Sequence, residues 1–96
     1  MKAYVVVQVR VKDHQAYEGY RKQVLPTIEA HGGRFLVRGG AFSVLEGEWP
    51  LPRLVIIEFP SRQAAEGWYR SPEYQKLLAI RRRSSEANLV IVDGAS

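Results

Sequence analysis

Apolar side chains occupy both faces of the segments that the sequence predicts as β-strands. In the first segment every second residue is valine, which makes one wholly apolar face, and Tyr4 and Val6 make the opposite face half apolar. A chain of 96 residues is too short to cover both faces of a sheet by itself, so the pattern predicts a partner. The four predicted strands are Ala3–Val11, Arg34–Leu45, Leu54–Phe59 and Leu89–Val92.

A helical pattern follows the first strand. Asp13 is placed to cap its start, because a carboxylate accepts hydrogen bonds from the free amides of a first turn. Pro26 lies inside the pattern and lacks an amide donor, which predicts a kink or a break between Gln23 and Thr27. The apolar stripe of this helix consists of Tyr17, Tyr20, Val24 and Ile28.

The second helical region has two start signals. Ser61 is placed to cap a helix after the third strand, and Ser71, followed by Pro72 at a first helical position, begins another. The region is therefore predicted as two helices that join near Tyr69 and Arg70.

The predicted order of elements is strand, helix, strand, strand, helix, strand, within one domain that spans residues 1–96. This order is typical of an α+β ferredoxin-like sandwich, in which a four-stranded antiparallel sheet carries its helices on one side. Because an exposed apolar sheet face would cause aggregation, we predict a homodimer whose sheets pack face to face. The predicted seam consists of Tyr4, Val6, Leu54, Ile56, Leu89 and Ile91.

Composition narrows the compartment and the partners. The chain has no cysteine, which excludes disulfides and cysteine-bound metal sites and suits a reducing compartment. Its apolar runs are too short for an export signal or a membrane span, so we expect a soluble cytoplasmic protein with no membrane partner. The net charge of +4 is concentrated in Arg81, Arg82 and Arg83, where the dipole of a helix C-terminus favours cations; an anion contact is the alternative.

The third strand argues against RNA binding, although RNA-recognition motifs share this order of elements. Those domains carry stacking aromatic side chains on the open face of the sheet. The outward set here is Leu54, Ile56 and Glu58, which suits a partner sheet and repels phosphate. We therefore expect no nucleic-acid partner.

Four segments of the chain, in order and at matching spacing, resemble one known family. They are His31–Gly40, Leu45–Gly47, Val55–Ser61 and Trp68–Tyr74. On these segments nearly the whole chain is similar to the domain-of-unknown-function family 1330 (DUF1330). The resemblance implies a dimeric α/β barrel, in which two ferredoxin-like sheets pack together with the helices outside, and it implies no established activity. Cofactor-independent monooxygenases and haem-degrading enzymes share the fold, which by itself does not determine function.

Arg38 and Glu58 form the strongest candidate polar pair. A hairpin centred on Glu48 would place them opposite each other on the outward face of the sheet. There they would either lock the dimer as a buried ion pair or serve a ligand, with Arg38 holding a carboxylate and Glu58 acting as a base.

The other candidate chemistry is sparse. Tyr69 and Tyr74 flank the predicted helix junction, where hydroxyl groups can line a cleft, although aromatic residues at such junctions usually belong to the core. His14 and His31 lie at opposite ends of one predicted helix, so no metal site is predicted. The sequence contains no phosphate-binding loop, dinucleotide fingerprint or nucleophile elbow. No cofactor is therefore predicted, and the sequence assigns no residue firmly to catalysis.

Two functions are consistent with these residues. The first is a dimeric α/β-barrel protein that binds a small organic molecule between sheet and helices, with or without cofactor-independent enzyme activity. The second is a non-catalytic dimeric domain in which the Arg38–Glu58 pair stabilises the interface. A roomy pocket with convergent polar groups favours the first function, and an interface that buries those groups favours the second. The candidate ligand-binding residues are Arg38, Glu58, Tyr69 and Tyr74.

Overall fold

A computed structural model describes residues 1–95, which form three helices and one antiparallel sheet of four strands. The elements are β1 (Ala3–Val11), α1 (His14–Glu29), β2 (Arg34–Arg38), β3 (Arg53–Phe59), α2 (Arg62–Arg70), α3 (Pro72–Ser84) and β4 (Ser85–Asp93). The strands lie in the order β2-β3-β1-β4, and each neighbouring pair is antiparallel. The predicted ferredoxin-like α+β fold is confirmed.

The core lies between one face of the sheet and the helices. The alternate valines of β1 and the predicted stripe of α1 are buried there, as periods of 2 and 3.6 residues require. Trp68 of α2 and Tyr74 of α3 are fully buried, with ring centroids 4.1 Å apart. Phe59 packs on Trp68 from the sheet side at 5.4 Å, so aromatic rings join the two layers.

The predicted helix starts are confirmed. Asp13 accepts a hydrogen bond from the amide of Ala16, and Ser61 and Ser71 cap α2 and α3 in the same way. The sequence predicted a kink or a break at Pro26, and the break is wrong, because α1 runs without interruption from His14 to Glu29. Pro26 is exposed and near the end of the helix, where water can satisfy the carbonyl that loses its partner.

The second predicted strand is much shorter than expected. β2 ends at Arg38, and residues 39–52 form an irregular arm, exposed throughout 40–50, before β3 begins. Gly39 ends the strand by adopting a left-handed φ of 78°, and its amide donates to the carbonyl of Leu54 at 2.8 Å. The ladder also shifts its register between Phe35 and Val37.

The outer face of the sheet differs from the predicted seam in one strand. Tyr4, Val6, Leu54 and Ile56 lie outward as predicted, opposite the buried positions of β1 and β3. In β4 the prediction is wrong: Leu89 and Ile91 pack against the core, and the exposed residues are Val90 and Val92. The alternate side chains of β4 are aliphatic on both faces of the strand, so hydrophobicity could not show which face lies inward. The strand pairing shows it, because Val90 lies opposite Val6 and Val92 lies opposite Tyr4, two residues of the outer face.

Candidate functional site

The structure does not bring Arg38 and Glu58 together, so the predicted pair is wrong. Glu58 lies opposite Arg34 in the ladder, and Arg38 lies opposite Val55. The prediction centred the hairpin on Glu48, but the partner of Glu58 is Arg34, which precedes Arg38 by four residues. The register shift between Phe35 and Val37 then moves Arg38 by one residue relative to β3 and so to the opposite face of the sheet. Arg38 therefore lies on the helix side of the sheet, and Glu58 lies on the outer face.

Glu58 forms ion pairs on the outer face. Its carboxylate lies 3.2 Å from Nε of Arg34 and 3.4 Å from Nζ of Lys2, with 14% of the side chain exposed. Burial raises the pKa of the Glu58 carboxyl, but the hydrogen bond and charge of Arg34, together with Lys2, outweigh it and leave the pKa below its ordinary value of 4.5. A carboxyl group of this kind is ionised at neutral pH and is a weak base.

Arg38 bridges the edge strand and the first helix. Its Nη2 donates a hydrogen bond of 2.6 Å to the carbonyl of Arg21 in α1, and its guanidinium lies 4.2 Å from the ring centroid of Phe35. Burial, with the nearby charges of Arg21 and Arg53, lowers the pKa of Arg38 below its ordinary value. The side chain thereby closes the gap between β2 and α1.

Tyr74 meets a second phenol in the core. Its hydroxyl lies 3.0 Å from that of Tyr20 in α1, and both side chains are buried. Burial raises the pKa of both hydroxyls. The charge interaction and hydrogen bond with Tyr74 raise the pKa of Tyr20 further, and the charge of Arg81 partly opposes the increase at both tyrosines. Both phenols are therefore neutral at physiological pH and act as hydrogen-bond donors.

Tyr69 packs against the ring of Tyr74 but lines a separate groove. It is half-buried, with its ring 5.6 Å from that of Tyr74, and it lines an open groove of about 620 Å³ between α2, α3 and β4. Arg62 and Arg82 line the same groove.

A cavity between the sheet and the helices contains the other two candidates, Arg38 and Tyr74. Its volume is about 30 Å³, which is room for about two water molecules. The wall is aliphatic and aromatic apart from arginine guanidiniums and tyrosine hydroxyls. The apolar lining residues are Val7, Val9, Val24, Phe35, Val55, Ile57, Trp68 and Leu89.

Arg81 lines this cavity. It was not among the predicted ligand-binding residues, although an anion contact was the alternative interpretation of the arginine run. It is only 7% exposed, and its Nε is buried without an acceptor among residues 1–95. The signal was present in the sequence, because Arg81 continues the buried stripe of α3 at helical spacing after Tyr74, Leu77 and Leu78. The helix-dipole interpretation suits the exposed Arg82 but does not explain a buried arginine.

Arg53 is a second arginine at the cavity, half-buried and with its Nε atom buried. Its Nε also has no acceptor in the described part of the chain, and the guanidinium occupies the space where a Cβ on Gly39 would lie. Glycine at this position lets the arginine approach the backbone of the arm.

Residues 1–95 offer neither a metal site nor a membrane-spanning helix. No group of three or more histidine, aspartate or glutamate side chains in that range could hold a metal ion. No helix there is long and apolar enough to cross a membrane.

Comparison with known proteins identifies a family and a fold. The family model described as "Domain of unknown function (DUF1330)" matches residues 2–95. No curated protein is similar enough in sequence to match.

Solved structures resemble the chain over nearly its full length. RPA0582, a protein of unknown function from Rhodopseudomonas palustris, has 20% identity and a TM-score of 0.77, covering 99% of this chain and 83% of its own. SnoaB from Streptomyces nogalater, a cofactor-independent oxygenase, has 11% identity and a TM-score of 0.66, covering 99% and 94%. A dimeric ferredoxin-like protein of unknown function from Jannaschia sp. CCS1 has 11% identity and a TM-score of 0.66, covering 98% and 100%. At these identities the likeness shows the fold alone.

Proposed function

We propose that this chain, which belongs to the DUF1330 family of domains of unknown function, binds a small organic molecule in the cavity between its sheet and its helices. One observation carries the proposal: the hydroxyls of Tyr20 and Tyr74 and the guanidinium of Arg81 line one cavity whose remaining wall is largely apolar. An apolar wall with a few convergent polar groups is the usual composition of a small-molecule site.

The size of the cavity sets a condition on binding. Sites for drug-sized ligands have volumes of about 300–1,000 Å³, so a molecule larger than a few atoms enters only if a lining side chain moves. Arg38 is the side chain placed to move, because one hydrogen bond to a backbone carbonyl holds it across the gap between β2 and α1. Releasing that bond would open the cavity on the side of the exposed Arg21.

The lining residues favour binding over base catalysis. The described wall contains guanidiniums and phenols but no carboxylate or imidazole, and both Tyr20 and Tyr74 have raised pKa values. These groups donate hydrogen bonds at neutral pH and do not accept protons. Glu58, the base that the sequence suggested, lies on the other face of the sheet.

A thermal-shift screen of small metabolites, acidic and neutral, tests the proposal. A compound at ten times its dissociation constant should stabilise the protein by about 1.4 kcal/mol and raise Tm by about 5 °C or more. Val24 lines the cavity, so Val24→Phe should fill it and abolish the shift, whereas Val24→Ala should retain the shift despite a lower starting Tm. If Val24→Phe responds to the compound like the wild type, the ligand binds elsewhere.

A dimeric domain without a ligand is the second candidate function. The small volume of the cavity, about 30 Å³, favours it. If no compound in the metabolite panel raises Tm, this second function replaces the first.

A further inference from the structure

The charged side chains that line the cavity are all arginines. Arg21 is neutralised by Glu18 through hydrogen bonds of 2.9 and 2.6 Å. Arg38, Arg53 and Arg81 form no ion pair with a carboxylate in the part of the chain that the structure describes. The wall therefore carries positive charge that the described residues do not balance.

Arg81 is the most deeply buried of these cations. A guanidinium remains charged at physiological pH, and burying a cation without an acceptor is strongly unfavourable. Arg81 is 7% exposed, its Nε has no partner among residues 1–95, and it lines both the cavity and the groove at Tyr69. An acceptor supplied from outside the chain would balance this charge.

The phenol pair adds a second unused donor. Tyr20 and Tyr74 carry one hydroxyl proton each, and the bond between them uses one of the two. The remaining proton is buried in the same wall as Arg81. Guanidinium and phenol are both donors to an oxygen anion, and the planar guanidinium fork matches two oxygens of one group.

The apolar wall selects among oxygen anions. A phosphate ion has no apolar part, whereas an organic carboxylate carries its charge at one end only. The neighbouring aliphatic side chains, such as Val24 and Val55, would contact an apolar remainder.

We propose that the ligand is a small organic carboxylate, whose anionic group accepts hydrogen bonds from Arg81 and from the Tyr20–Tyr74 hydroxyl pair. This inference rests on the proposed function and narrows it to a class of ligand.

Calorimetric titration with benzoate and benzamide at constant ionic strength tests the inference on the wild-type protein. The two probes have similar shapes and differ in charge, so we expect benzoate to bind at least tenfold more tightly. Inorganic phosphate should not compete with benzoate. Equal affinity for benzoate and benzamide would overturn the carboxylate inference while supporting ligand binding.

Variants of two neighbouring arginines locate the anion site. Arg81→Met should weaken benzoate binding at least tenfold and leave benzamide binding within twofold. Arg82→Met is the matched control, because Arg82 is exposed on the same helix, and it should bind benzoate like the wild type. Arg81→Lys should keep the preference for benzoate over benzamide with lower affinity, since it retains the charge and loses the fork.

Three other outcomes contradict the inference. They are no benzoate binding to the wild type at millimolar concentration, displacement of benzoate by phosphate, and a loss of affinity in Arg82→Met equal to that in Arg81→Met. The thermal-shift screen tests the proposed function separately, because a neutral compound that raises Tm would support ligand binding even if benzoate does not bind.

Discussion

At the scale of single residues, the Tyr20–Tyr74 hydroxyl pair places two polar groups in contact within a largely apolar core. The oxygens lie 3.0 Å apart, and the two rings meet edge to face with centroids 6.3 Å apart. Each hydroxyl gives the other a partner that water would otherwise supply, which makes the pair tolerable in the core.

Removing one hydroxyl of this pair should cost more than removing both. Tyr74→Phe or Tyr20→Phe alone leaves a buried hydroxyl without a partner, which costs about 1–3 kcal/mol of unfolding free energy. The double variant leaves no hydroxyl without a partner, so its loss of unfolding free energy should be smaller than the sum of the losses in the two single variants. Urea unfolding of the four proteins measures this, and additive losses would contradict it.

The same pair predicts a loss of stability at alkaline pH. Burial raises the folded-state pKa of both phenols above their ordinary value of 10.0, so above that pH the folded protein holds more protons than the unfolded chain. The contribution of the two phenols to the free energy of unfolding should therefore be fully present below pH 10 and should be lost as the pH rises toward their pKa values in the folded protein. The Tyr20→Phe/Tyr74→Phe double variant should lose less stability over that range, which urea midpoints at several pH values would show. An identical alkaline loss in both proteins would rule out the phenols as its source.

The sequence patterns predicted which side chains would be buried, but they did not predict which buried side chains would contact each other. The periodicity of α1 placed Tyr20 in the core, and the spacing after Ser71 placed Tyr74 in the next helix. Their contact joins positions 54 residues apart, and only the packing of α1 on α3 creates it. Arg81 could have been recognised by its position on an apolar stripe, although its orphan Nε depends on its neighbours in space.

At the scale of elements, the arm between β2 and β3 joins two residues that line the cavity, Arg38 and Arg53. Gly39 turns the chain out of β2, and Leu51, which is buried, returns it to the core before β3. Between them the arm exposes Phe42 and Trp49, whose rings contact each other at 5.9 Å between centroids. The turn at Gly39 also gives Arg53 the space in which its guanidinium lies.

Gly39→Ala and Gly40→Ala form a matched pair that tests this turn. Gly39 has a φ of 78°, where an alanine costs roughly 1–2 kcal/mol, and a Cβ there would overlap Arg53. A Cβ added at Gly40 would meet no atom within 4 Å, so alanine should be tolerated there with little change. Urea unfolding should show a clear loss only in Gly39→Ala, and equal effects would argue against the left-handed turn.

The elements themselves were largely readable from sequence, while their register was not. Caps at Asp13, Ser61 and Ser71 act within one turn, so local chemistry identified the helix starts. Strand pairing depends on a turn of irregular length, and a shift of one residue placed Arg38 and Glu58 on opposite faces.

At the scale of the whole molecule, the two faces of the sheet have different roles. The inner face holds the core and the cavity, and the outer face presents an aliphatic surface in which Val90 is 58% exposed and Val92 is 47% exposed. We propose that this outer face pairs with a second copy, because an apolar surface of this kind favours association.

Val90→Glu should convert that dimer to a monomer. The side chain is exposed in the single chain, so folding should persist while a charge enters the seam between the sheets. Leu25→Glu is the control, because Leu25 is also partly exposed but lies on α1, away from the outer face. Light scattering after size exclusion should give twice the chain mass of 10.9 kDa for wild type and control, and 10.9 kDa for Val90→Glu. A monomeric wild type at micromolar concentration would contradict the dimer.

The proposed contact between the buried guanidinium of Arg81 and the anionic group of a ligand can be observed at the guanidinium itself. The Nε–H resonance of Arg81 in a ¹H–¹⁵N spectrum, assigned by its loss in Arg81→Lys, reports on this group directly. During titration with benzoate we predict a saturable shift of this resonance together with the amides around Tyr74 and Val24. Saturation of the protein with benzoate while the Arg81 resonance stays unchanged would contradict the proposal.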